Sequence, residues 1–189
     1  MVVARIPPLE EPYDPQVGAQ LESMMPAGVA PIGLFRVFAR NLAMTEAMHG
    51  WGTYELGARL TVPMRTREIV IGRTTARCGA EYEWGVHVAF FAERVGLTRS
   101  QLRSIAFGDA GDPCWTDPMD RLVIDVVDQL HDTADVDDEL WARVAVTFRP
   151  EQILDVILLC GWYHAISFVA RAARVPNEPF APTFQSVTA

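Results

Sequence analysis

The sequence predicts an all-α fold: one single-domain helical bundle of six to eight helices. Three observations carry this. The chain has 189 residues, the length of one domain, with ~70% of the unfolded surface buried at this size. Apolar residues recur at spacings of three and four, and no stretch alternates with the period of two that a half-buried strand shows. Caps, prolines and glycines punctuate these segments where helices start and stop.

The first 31 residues hold six of the 13 prolines and read as a Pro-rich N-terminal arm, with one short helix around 17–24. Residues 32–189 read as the helical domain. Segments 32–40 and 45–58 are its first helices, the second interrupted by Gly50 and Gly52. Pro63 precedes a helix over 65–77. Another covers 81–95 and ends at Gly96, a C′ glycine. Thr98 and Gln101 form a capping box for a helix to about Phe107. Asp117 as N-cap and Pro118 at N1 open the next. There Met119, Leu122, Val123, Val126, Val127 and Leu130 make one apolar stripe. Asp137 or Asp138 caps a shorter helix through Leu140, Trp141 and Val144. Pro150 opens a long apolar helix to about Arg174, and Pro176 keeps the helix from continuing.

Composition narrows the chemistry. Lys+Arg totals 16 and all sixteen are arginine, so Schiff-base, pyridoxal-anchoring and P-loop-lysine mechanisms are excluded. The net charge of −8, without basic clusters, argues against nucleic acid and against anionic membranes as partners. Cys78, Cys114 and Cys160 are widely spaced and include no CxxC, so neither a disulfide framework nor a common zinc motif is supported. The N-terminal residues lack the apolar stretch of a signal peptide, and a cytoplasmic location is expected. Segment 153–170 is apolar enough to be mistaken for a membrane span. Asp155 and His164 within it favour a buried central helix or an oligomer interface, and no membrane association is expected.

Functional side chains are densest in RTREIVIGRTTARCGAEYEWGVH. Glu83 and His87 stand at i and i+4 on one helix and share a face. Glu68 lies on the preceding helix, which the Cys78–Gly79–Ala80 turn folds back against them. Two carboxylates and an imidazole then converge. A carboxylate fixes the tautomer of an imidazole and stabilises its protonated form, the arrangement of acid/base catalysis. Glu68, Glu83 and His87 are the catalytic candidates. Tyr82, Trp84, Arg65, Tyr163 and His164 are the substrate-binding candidates, with a core or interface role as the plain alternative for Trp84, Tyr163 and His164. No metal and no cofactor is expected. Glu68, Glu83 and His87 could form a carboxylate-rich metal site, but nothing supplies a fourth ligand.

These residues resemble the carboxymuconolactone decarboxylase and AhpD-like family. The resemblance rests on Arg67-Glu68-Ile69-Val70, Glu81-Tyr82-Glu83-Trp84 with His87, Gly96-Leu97-Thr98, Asp128-Gln129-Leu130-His131 with Trp141, and Gly161-Trp162-Tyr163-His164-Ala165-Ile166-Ser167. It implies an all-helical fold that assembles into homo-oligomers (dimer, trimer or hexamer), with active sites near the paired helices. In the alkylhydroperoxidase branch a CxxC pair, a histidine and a relay glutamate act together. Counting back from His87, the cysteine positions fall on Ala80 and Glu83, and the relay glutamate on Glu68. Both thiols are absent, so the chain resembles the decarboxylase-type branch, lyases acting on small carboxylated lactones or related metabolites.

The expected function is a cofactor-free acid/base enzyme for a small carboxylic acid or lactone, by decarboxylation or a related lyase or isomerase step. The alternatives are an alkylhydroperoxidase-like oxidoreductase without the CxxC pair and a non-catalytic oligomeric ligand-binding protein.

Overall fold

Helix starts follow local chemistry closely in the computed structural model, which describes residues 3–188. Residues 1, 2 and 189, assigned by the sequence to the arm and the domain's end, lie outside the described residues. The elements are α1 (Pro15–Ser23), α2 (Gly33–Phe38), α3 (Leu42–Leu56), α4 (Met64–Arg77), α5 (Glu81–Phe91), α6 (Arg99–Phe107), α7 (Pro118–Thr133), α8 (Asp138–Thr147), α9 (Pro150–Ala172) and a 3-10 turn at Phe184–Val187. No strand occurs among the described residues. The fold is all-α and single-domain as expected, with nine α-helices among the described residues rather than six to eight, because the arm contributes α1.

The caps are those the sequence implies. Thr98 and Gln101 make a reciprocal capping box on α6. Asp117 accepts from the Met119 amide ahead of α7, and Asp137, not Asp138, accepts from Leu140 on α8. Asn41 caps α3 by accepting from Met44. Gly50 and Gly52 do not interrupt α3, which runs unbroken through them. The helix expected over 81–95 ends at Phe91, and a further turn leads to Gly96.

The core is organised around α4 rather than the more apolar α9. Ile69, Val70 and Ile71 are fully buried, and Arg67, Glu68 and Arg73 beside them are buried too. A helix this polar can occupy the centre because its charges are paired inside the protein. Arg65, Arg73 and Arg77 each meet an aspartate 55 positions on: Asp120, Asp128 and Asp132. That constant offset sets α4 and α7 parallel and in register. Spare guanidinium donors cap neighbouring helix ends, Arg65 at the Val95 carbonyl and Arg73 at that of Ile105.

Helix α9 is long and apolar enough to cross a membrane by length and composition, but half of its most apolar stretch is buried against the domain. Its other face leaves Leu154, Leu158 and Phe168 exposed.

Both chain ends are tied down. The arm is held where the Ala173 carbonyl accepts from the Arg5 amide and where Arg40 Nε donates to the Pro7 carbonyl. In the tail, Glu178 accepts from the Gly33 amide and from the Tyr82 hydroxyl, while the Phe184 amide donates to Glu81.

Candidate active site

The site is created by the reversal between α4 and α5. Gly79 adopts φ +64°, a left-handed conformation that glycine takes without a Cβ penalty. The Ala80 amide then reaches the Thr75 carbonyl and the Gly79 amide that of Ala76, closing α4 and turning α5 back along it. Glu68, mid-way along α4, thereby faces His87 two turns into α5.

His87 Nδ1 lies 2.8 Å from Glu68 Oε2, and His87 Nε2 lies 2.9 Å from the Tyr163 hydroxyl on α9. Glu83 Oε1 stands 3.6 Å from the same Nε2. Arg67 Nε donates to Glu68 Oε1 at 2.7 Å, and Arg67 Nη1 donates to the Leu56 carbonyl. Phe91 stacks against His87, with the Arg67 guanidinium 4.9 Å from its ring centre. All three expected catalytic residues therefore meet, all of them buried.

The electrostatics follow from that burial. Desolvation alone pulls the His87 imidazole down. The negative charge and hydrogen bond of Glu68, then those of Glu83, outweigh it and raise His87 from 6.5 to about 9. At neutral pH His87 is therefore an imidazolium, with Nδ1–H donating to Glu68 and Nε2–H directed at Tyr163 and Glu83. Burial first, then the charges of Glu83 and Glu68, push the Tyr163 phenol well above its ordinary 10, so it is a neutral hydroxyl. Glu55, on α3, is a further buried carboxyl, whose charge also acts on the Tyr163 phenol. Burial raises the Glu55 carboxyl, outweighing the 2.6 Å hydrogen bond from Trp51 Nε1.

Glu83 Oε2 and Arg67 Nη2 in the cluster are buried without a partner, as is Glu55 Oε2 on α3. Unsatisfied buried groups are rare and call for a water or ligand. The adjoining cavity, lined by Glu68, Trp84, His87 and Ile105 among others, holds about 10 Å³. That is room for about one water, so a larger molecule enters only if the site opens.

The remaining candidates divide. Tyr163 belongs to the cluster. Tyr82 borders it through the chain but turns its hydroxyl to Glu178 and the Leu34 amide. Trp84 is fully buried and packs on Phe184. Arg65 is not brought to His87: Asp120 and the Val95 carbonyl occupy its guanidinium, because α7 lies alongside that end of α4. His164 comes one residue after Tyr163, which on a helix turns it to another face. It meets His131 at 2.9 Å.

Arg67 and Glu55 are the site residues that sequence reasoning passed over. An arginine immediately before Glu68 was the available signal for the first. Nothing in the sequence marked Glu55, which acts on the site through its charge on Tyr163.

No protein-family model matches the sequence, and no curated protein matches it. Solved structures do. A peroxidase-related protein from Silicibacter sp. TM1040 superposes with a TM-score of 0.79 at 15% identity, over 97% of this chain and 98% of that one. The debrominase Bmp8 without ligand gives 0.66 at 14% identity, over 96% of this chain and 95% of its own. A cysteine-to-alanine variant of Bmp8 in complex with 2,3,4-tribromopyrrole gives 0.67 at 16%, over 98% and 96%. At these identities the likeness carries the fold alone: the chain shares the all-helical, single-domain architecture of these structures.

Proposed function

We propose that this protein is a cofactor-free acid/base enzyme acting on a small carboxylic acid or lactone, in the manner of a carboxymuconolactone decarboxylase. The observation that carries the proposal is the geometry around the buried imidazole of His87. The ring is held between Glu68 and Tyr163, with a carboxylate oxygen of Glu83 and a guanidinium nitrogen of Arg67 left without partners. A permanent positive charge with a free donor suits an anionic substrate, and arginine is the only such side chain the sequence offers.

In a decarboxylation, the carbon–carbon bond to the carboxylate breaks, CO2 leaves, and the electron pair stays on carbon as an enolate-like carbanion. Arg67 and the Tyr163 hydroxyl supply donors near the developing negative charge. His87 Nε2–H delivers the proton that quenches the carbanion, and the neutral imidazole is reprotonated from solvent. Glu68 holds the ring through Nδ1 and stabilises its charged form. Glu83 passes protons on the Nε2 side.

Exposed apolar residues on α9 support a homo-oligomer. Leu154, Leu158, Gly161, Ala165 and Phe168 are all solvent-facing and stand at alternating spacings of four and three, the seam pattern of a helix that packs on another helix.

The test is CO2 release from a panel of small carboxylated lactones. His87→Gln is expected to lower turnover by at least ~100-fold with the oligomer unchanged. Turnover retained by His87→Gln would sink the assignment. The oxidoreductase alternative draws support from the peroxidase-related neighbour. It would need Cys78 or an external thiol, yet burial pushes the Cys78 thiol up, away from the reactive thiolate. Peroxide consumption that disappears in Cys78→Ser would favour it over acid/base chemistry.

A further inference from the structure

Three side chains that the proposed reaction does not use converge at another face of α9. Cys78 closes the C-terminus of α4, His131 sits in the last turn of α7, and His164 is on α9. Their nearest sulfur and nitrogen atoms all lie within 4.8 Å of one another. Cys78 is buried, while both histidines are half-buried and reachable from solvent.

The hydrogen bonding aims an unprotonated imidazole nitrogen into the site, where it accepts from His131. His164 Nδ1 is 2.8 Å from the carbonyl of Cys160, which can only accept, so Nδ1 carries the proton. Nε2 of His164 is therefore the unprotonated nitrogen, and it points at His131 Nδ1, 2.9 Å away. A backbone carbonyl fixing one imidazole nitrogen so that the other is presented is the usual support behind a metal-bound histidine.

We propose that Cys78, His131 and His164 form a binding site for one divalent transition metal of borderline softness, zinc being the natural occupant. One thiolate and two imidazoles select zinc-like ions over magnesium or calcium, which prefer oxygen. Tetrahedral zinc needs sulfur and nitrogen atoms about 3.3–3.6 Å apart, from bond lengths of about 2.3 and 2.0 Å. The histidine nitrogens must part by a few tenths of an ångström from 2.9 Å, and the cysteine must close by up to about 1 Å from the 4.8 Å limit. Binding replaces the thiol proton and the proton shared between the two histidines, and the fourth position remains for water. Among charged side chains, Arg77 and Arg171 lie near the site, as do Asp128 and Asp132. The two signs offset each other, and the thiolate neutralises half of the metal's charge.

The site is separate from the His87 cluster, so its test is independent of the proposed reaction. Purified protein is titrated with Co2+, whose visible bands report tetrahedral geometry and whose thiolate charge-transfer band reports sulfur ligation, and the cobalt is then displaced with Zn2+. Saturation at one Co2+ per chain, with the charge-transfer band and full displacement by Zn2+, is the expected result. Cys78→Ser removes that band, and His131→Asn weakens binding by at least ~10-fold. Cys114→Ser leaves both unchanged, and Cys160→Ser retains the charge-transfer band. Should Cys78→Ser fail to fold, His131→Asn at a half-exposed position carries the same test. Absence of saturable binding, binding undiminished in His131→Asn, or a charge-transfer band that depends on Cys160 instead of Cys78 overturns the proposal.

Discussion

His87 makes the stability of this protein depend on pH in a particular window. In the unfolded chain its imidazole titrates near 6.5, and in the folded protein Glu68 and Glu83, against the pull of desolvation, hold it up at about 9. The folded state therefore binds the proton more tightly. That contribution is fully present below pH 6.5 and is lost as pH rises through about 9. The rise from 6.5 to about 9 is worth about 3 kcal/mol at about 1.4 kcal/mol per pH unit. With His87 and both carboxylates buried, solvent screening does little to reduce it. The assay is urea denaturation at a series of pH values for wild type and for His87→Gln, whose difference cancels every group common to both. Wild type should lose about 3 kcal/mol more than the variant between pH 6.5 and a pH above 9. Glu68→Gln removes the largest upward influence and leaves desolvation in place, so its His87 contribution should shrink or reverse. If the wild-type and His87→Gln curves run parallel through this window, the account of a buried imidazolium is wrong.

Other contacts carry outcomes of their own. Asp155 accepts hydrogen bonds from the Tyr54 hydroxyl and from the Thr61 amide and hydroxyl, fastening the segment between α3 and α4 to α9. Asp155→Asn should destabilise by about 3 kcal/mol. It should also bring the Tyr54 phenol, which that hydrogen bond and burial push up to about 12, back toward 10 in an ultraviolet pH titration. An unmoved phenol titration would contradict this. At Gly85 an added Cβ would collide with the Pro182 carbonyl and approach the Ala181 Cβ to 3.3 Å. Gly85→Ala should lower stability by about 1–3 kcal/mol and expose the C-terminal tail to limited proteolysis. A tail as resistant as wild type would show that α5 and the tail are not in close contact.

The helices were legible because their signals are local. A capping box at Thr98 and Gln101, Pro118 behind Asp117, and Gly79 and Gly96 at left-handed positions act within a turn or two of sequence. The meeting of Glu68, Glu83 and His87 was legible for a similar reason: two of them share a helix face, and the third is one short reversal away. Arg65 misled, since it stands beside the motif in sequence while its guanidinium is taken by Asp120, 55 residues on. The metal-ligand candidates were invisible: Cys78, His131 and His164 fall on three separate helices, far beyond the spacing of any zinc motif.

The sequence by itself determined an all-α chain, the limits of most helices, the absence of lysine chemistry, and the pairing of Glu68 with His87. Tertiary structure alone decided which helix is central. By composition α9 should be the core and α4 the surface, yet α4 lies inside because partners from α7 neutralise its arginines. It also decided that Arg67 and Tyr163 close around the Glu68–His87 pair while His164 turns to another face. Burial and charge pairing depend on residues tens of positions apart, and periodicity and capping reach only along a single helix.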